Sequence, residues 1–114
     1  MAHIILPPSH YNLSSCEAAV ARCEAALAAF LQEWWPADAA VEYVAAWDRH
    51  RANLRTAQAD LAAARSRSRF VLKNWDDSRD PCWLLGLQGD VATVRFDDGS
   101  IQTMDRTHFF ESAA

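Results

Sequence analysis

The chain has 114 residues, 51% of them hydrophobic, with a net charge of −4 and five tryptophans. That is enough apolar material for one domain or two small units, and too much for a disordered segment. The acidic balance argues against general binding to a phosphate backbone, which is driven by Lys and Arg.

Three cysteines, Cys16, Cys23 and Cys82, form an odd set without a C-x-x-C pair. They are read as reduced thiols of a cytoplasmic compartment, or a nuclear one in a eukaryote. The apolar run Ile4-Ile5-Leu6 ahead of Pro7-Pro8 is too short for a signal peptide or a membrane span. Residues 1–13 are expected to form an extended arm, because Pro7-Pro8 excludes helix.

A first helix is expected from Ser14 or Ser15, where Ser14 and Glu17 have capping-box spacing. Cys16, Val20, Cys23, Leu27, Phe30 and Trp34 then recur at alternating spacings of four and three, a heptad seam. Three heptads make a rod of ~30 Å that needs a partner helix. Pro36 ends the pattern and suits the first position of a new helix. The second helix is expected over 37–67, with Val41, Val44, Trp47, Leu54, Ala57, Leu61 and Ala64 on its apolar side and His50 in solvent. The two form an antiparallel hairpin, and its seam or overhanging end is a candidate homodimer contact. Trp34 falls in the seam. Trp35, at the hairpin tip, is a candidate contact residue, with packing against the following part as the alternative. Arg49, Arg51 and Arg55 make the second helix locally basic, a candidate face for nucleic acid or an acidic partner. Nucleic acid is the less favoured partner.

From Phe70 the period becomes that of strands. Strands are expected over 70–75, 82–87, 91–96 and 101–104, with a short fifth element at 108–110. Gly89-Asp90 fits a two-residue turn, and Asp98-Gly99 suits a type I′ turn. Counting register from these turns pairs Leu85 with Val94, Trp83 with Phe96 and Phe96 with Ile101. Trp83, Leu85, Leu87, Val94, Phe96 and Ile101 then share one apolar face, opposite Thr93, Arg95 and Gln102.

The Phe96-Asp97-Asp98-Gly99 turn, with Trp75 and Trp83 before it, resembles a Tudor or Tudor-like domain over residues 70–110. That resemblance implies a five-stranded SH3-like barrel. It also implies that Trp75, Trp83, Phe96 and Asp98 stand where such domains build a cage for a methylated Lys or Arg, held by cation–π attraction beside a carboxylate.

The other chemistry is sparse. Cys16 and Cys23 lie seven apart on one seam and read as core thiols. His3, His10, His50 and His108 follow no ligand spacing, and the acids of 76–80 lack the pattern of a calcium loop. No P-loop, nucleophile elbow or dinucleotide fingerprint occurs. The expectation is an α+β protein with an extended arm (1–13), a helical hairpin (14–69) and a small SH3-like, Tudor-like antiparallel β-barrel (70–114). It needs no metal or cofactor and is not an enzyme. Its expected role is a non-catalytic protein–protein interaction module, a small regulatory or inhibitor protein docking on a larger complex. The alternative is a nucleic-acid-linked regulator, such as a chromatin or RNA-polymerase accessory factor, using the barrel as a methyl-Lys/Arg reader.

Overall fold

No Gly or Pro falls within 13–32 or 40–67, and both stretches are helices. The computed structural model describes residues 11–73, 79–107 and 110–112. Helix α1 spans Leu13–Gln32 and α2 spans Ala40–Arg67, led in by a single 3₁₀ turn at Ala37–Ala39. Pro36 precedes that turn in an extended conformation, with ψ at 153° and a φ of −68° that its ring holds. Five strands follow: β1 (Arg69–Lys73), β2 (Arg79–Gln88), β3 (Val91–Phe96), β4 (Ile101–Asp105) and β5 (Phe110–Ser112). The α+β class, the two helices and the antiparallel sheet are those expected. The chain forms two compact units. One is the helical stretch Ser15–Ala62, and the other holds the sheet with the described residues flanking it.

Within the helical unit the two helices run antiparallel. Phe30 reaches Tyr43, Trp47 and His50, while Cys23, earlier in α1, lies 3.8 Å from the carbonyl of Asn53, later in α2. Phe30 is the centre of this unit, 2% exposed. Its ring stacks on Tyr43 at 5.0 Å, meets His50 at 5.0 Å and takes Trp35 edge-on at 5.8 Å.

Four expectations are corrected here. Trp34 is 86% exposed rather than in the seam. Helix α1 ends at Gln32, so helical phase no longer sets the direction of Trp34, and the loop returns Trp35 onto Phe30 instead. Val41 and Val44 are exposed. The seam of α2 runs through Tyr43, Trp47, His50, Leu54, Ala57 and Leu61, all buried or half-buried and spaced four and three apart. His50 is therefore an inward ring and not a solvated one. The first helix also begins one residue before Ser14, which leaves Ser14 inside the first turn rather than at the cap.

The sheet order is β4-β3-β2-β1-β5, all antiparallel. Among the described residues no pairing joins β4 to β5, so the sheet is an open one. Its core is Tyr11, Phe70, Leu72, Cys82, Leu84, Ala92 and Val94, with Leu87, Phe96 and Met104 packed at the margin. Tyr11 meets Phe70 edge to face at 5.8 Å.

The expected register fails at two places, each by one residue. A bulge between Leu84 and Gly86 puts Leu84 opposite Val94, Trp83 opposite Arg95 and Cys82 opposite Phe96. At the next turn Gly99 N–H donates to Phe96 O, and Phe96 N–H donates to Ser100 O. The loop is thus three residues, Asp97-Asp98-Gly99, with Gly99 at φ +92. This is a turn closed by a left-handed glycine bulge and not a type I′ turn. Ile101 consequently faces Arg95, and Gln102 faces Val94. Because strand side chains alternate, each shift moves residues across the sheet. Trp83 and Ile101 leave the core face, and Cys82, Leu84 and Gln102 join it.

Two substitutions test this packing. Phe30→Ala is expected to destabilise the protein by about 3–5 kcal/mol in chemical denaturation, because it empties the middle of an aromatic cluster. Ser68 Oγ is fully buried without a hydrogen-bond partner. Ser68→Ala should therefore be neutral or raise the melting temperature, since no bond is lost with the hydroxyl.

Candidate functional site

The β3–β4 turn and the strands beside it bring an ion pair, a cation–π contact and two further acids together. Arg69, the first residue of β1, pairs across the ladder with Trp83 of β2. Its guanidinium carbon lies 4.7 Å from the centroid of the Trp83 ring. Its two terminal nitrogens donate to Asp97 Oδ1 at 2.7 Å and Oδ2 at 2.8 Å, a bidentate pair. Trp83, Arg69 and Asp97 thus form an aromatic face, a cation and a carboxylate in contact, all supplied by the chain itself.

The electrostatics follow from this contact. Hydrogen bonding to Arg69 holds the Asp97 carboxyl below its usual range, and the Arg69 guanidinium is raised in return by its bond to Asp97. Asp98 is also lowered, because its Oδ1 accepts from the Ser100 backbone N–H at 2.9 Å and the Ser100 hydroxyl at 2.6 Å. Both groups lie in solvent, so these contacts orient the turn more than they stabilise it. Burial pushes the Cys82 thiol up to about 11, which makes it a core group and not a nucleophile.

A groove of about 430 Å³ opens beside this turn. Leu72, Pro81 and Phe96 supply its apolar part, and Asp80, Asp97, Asp98, Ser100 and Gln102 its polar part. Asp80 and Asp98 beside an apolar floor, with Asp97 already paired to Arg69, suit an amphipathic cation, whose aliphatic stem and charged head need different surroundings.

The sequence candidates fall as follows. Phe96 and Asp98 meet at the groove. Trp83 is on the opposite face of the sheet from Phe96, as the register requires, and is covered by Arg69. Trp75 lies outside the described residues. Trp35 is half-buried on Phe30 and Tyr43, and the exposed tryptophan of the tip is Trp34. Arg49, Arg51 and Arg55 are all exposed. Helical pitch sets Arg51 and Arg55 one turn apart on one side and Arg49 away from them, while Arg51 lies 5.7 Å from the ring of Trp47. Arg69 and Asp97 were missed. Asp97 was legible as the other acid of Phe96-Asp97-Asp98-Gly99, but its partner depends on the β1–β2 register, which no short turn fixes. Among the described residues no group of three or more His, Cys, Asp or Glu is placed to hold a metal ion, and no helix is long and apolar enough to cross a membrane.

Comparison with protein-family models, curated proteins and solved structures finds no match.

The Asp97–Arg69 contact carries a pH signature. Asp97 has a lower pKa folded than unfolded, so its contribution is complete above the unfolded value of about 3.9 and is lost as pH falls through the folded one. In thermal melts, Asp97→Asn should lose less stability than the wild type on acidification below about pH 4. Parallel acid curves for the two proteins would remove this role from Asp97.

Proposed function

We propose that the chain is a non-catalytic protein–protein interaction module, a small regulatory or inhibitor protein that docks on a larger complex. The observation that carries this reading is the groove beside the β3–β4 turn, with its apolar floor and carboxylate rim. Its volume, about 430 Å³, suits one or two side chains of a bound segment. Its charge selects a segment bearing Lys or Arg. Asp98 accepts from the Ser100 N–H and hydroxyl through Oδ1, which fixes its carboxylate at the rim of the groove. The Asp98–Ser100 contact is read as a turn-forming one, and the acids of the groove as recognition groups.

The sheet is read as an SH3-like, Tudor-like unit. Five antiparallel strands with the Phe-Asp-Asp-Gly turn between the third and fourth support that reading, and closure of β4 onto β5 would complete the barrel. A methyl-cation cage built on Trp83 is disfavoured by Arg69, which already covers the ring. The groove at Phe96 recognises a cation without that ring.

A titration of the labelled protein, followed by amide NMR shifts, tests the groove. Peptides carrying one Arg or one dimethyl-Lys in a neutral sequence should shift Phe96, Asp98, Ser100 and Gln102, and the same peptide with Gln in that place should not. Phe96→Ala and Asp98→Asn should each weaken binding by about tenfold, equivalent to ~1.4 kcal/mol. Shifts absent from these residues, or binding equal for the Gln peptide, reject the proposal.

A further inference from the structure

The helical unit carries a surface that the groove does not explain. Leu31 is 50%, Trp34 86%, Val41 80% and Val44 55% exposed. All four lie at the closed end of the hairpin, in the last turn of α1, the connecting loop and the first turns of α2. A large apolar side chain in water forgoes its transfer free energy, and an exposed apolar group of this kind marks a contact site. Trp34 is the most exposed large hydrophobic residue described, and tryptophan is the residue type most enriched among energetic anchors of interfaces.

Charge identifies the occupant. Between Arg22 and Arg49 the chain has Glu24, Glu33, Asp38, Glu42 and Asp48 and no Lys or Arg. Glu33, Asp38 and Glu42 interleave with the apolar four, and all three are exposed. The tip therefore carries four exposed apolar side chains, with acidic residues between them in sequence and no basic one. In a two-fold dimer the same surface would meet itself, bringing like-charged residues together in a desolvating contact. A nucleic acid or an anionic membrane would be repelled for the same reason.

We infer that the hairpin tip docks, through Trp34 with Leu31, Val41 and Val44, onto an apolar surface of another protein that is bordered by Lys and Arg. The apolar contact supplies affinity, and the acidic residues supply orientation and association rate. This surface is independent of the groove in the sheet unit, so either can fail without the other.

The full chain can be tested with two synthetic amphipathic helices that share a leucine face and differ in their polar face, one lysine and one glutamate. Calorimetry gives affinity, and amide NMR shifts report where each peptide binds. The expected result is that the Leu/Lys helix binds and shifts residues 31–44, while the Leu/Glu helix does not bind. Trp34→Ala should weaken binding by about tenfold or more. Replacing Glu33, Asp38 and Glu42 together by Lys should reverse the preference between the peptides. These side chains are exposed, and an unchanged circular dichroism spectrum verifies that each variant is folded. Phe96→Ala, which alters the groove, should leave the shifts at 31–44 unchanged. Absence of Leu/Lys binding at 31–44, binding that Trp34→Ala leaves intact, or equal binding of both peptides overturns the inference. So does a dimer in light scattering that Trp34→Ala dissolves, which makes a second copy the occupant. Partition into zwitterionic vesicles through Trp34 with no peptide binding would also overturn it, in favour of lipid.

Discussion

The pairing of β2 with β3 decides what the sheet unit has inside and what it presents. These are the central strands, and a single extra residue near Leu85 shifts their alignment partway along. On one side of the bulge Leu87 faces Ala92. On the other, Cys82, Leu84, Val94 and Phe96 share the core face, and Trp83 is turned outward. The placement of Trp83 beneath Arg69 follows from this alignment together with that of β1 on β2. The glycine bulge at Gly99 acts likewise on the next pair, setting Ile101 outward beside Arg95. The groove at Phe96 and the Arg69–Trp83–Asp97 contact occupy opposite faces because of it, and Asp97 at the turn takes part in both.

The helical unit is held by aromatic packing more than by its alanines. Phe30 gathers Trp35, Tyr43, Trp47 and His50 at the closed end, while alanines such as Ala46 and Ala57 let the backbones approach. This concentrates rigid apolar area close to the loop. The same loop holds Trp34 outside, next to a cluster that consumes the other aromatic groups. Trp35 closes the cluster at the cost of an indole N–H buried without a partner, which argues that ring packing outweighs the lost hydrogen bond there.

Much of this was legible in the chain. Heptad spacing located the first helix and near-helical spacing after Pro36 the second, Pro36 located their connection, and the turn residues at 89–90 and 98–99 located two hairpins. Phe96 and Asp98 stood out as turn-associated candidates and do line a common groove. The errors have specific causes. Val41 and Val44 fit a helical period, but Tyr43, Trp47 and His50 fit one equally well, and the larger rings took the interior. Trp34 was assigned by a phase that ends with the helix. Trp83 was assigned by counting from a turn, and counting fails past a bulge. Arg69 had no signal beyond its place in a basic stretch, since its significance comes from being opposite a tryptophan fourteen residues away.

The sequence by itself determined the element order, the α+β class, the hairpin of helices and the identity of the turn that carries the acids. These depend on local physics: periodicity, proline and the few residues that tolerate positive φ. Tertiary structure alone decided which side of each strand faces the core, which tryptophan of the tip is exposed, and that Arg69 meets Trp83 and Asp97. Those outcomes depend on one-residue shifts in strand pairing and on competition between side chains for the same interior. A residue count along the chain does not contain either, because both are settled only when separate segments pack.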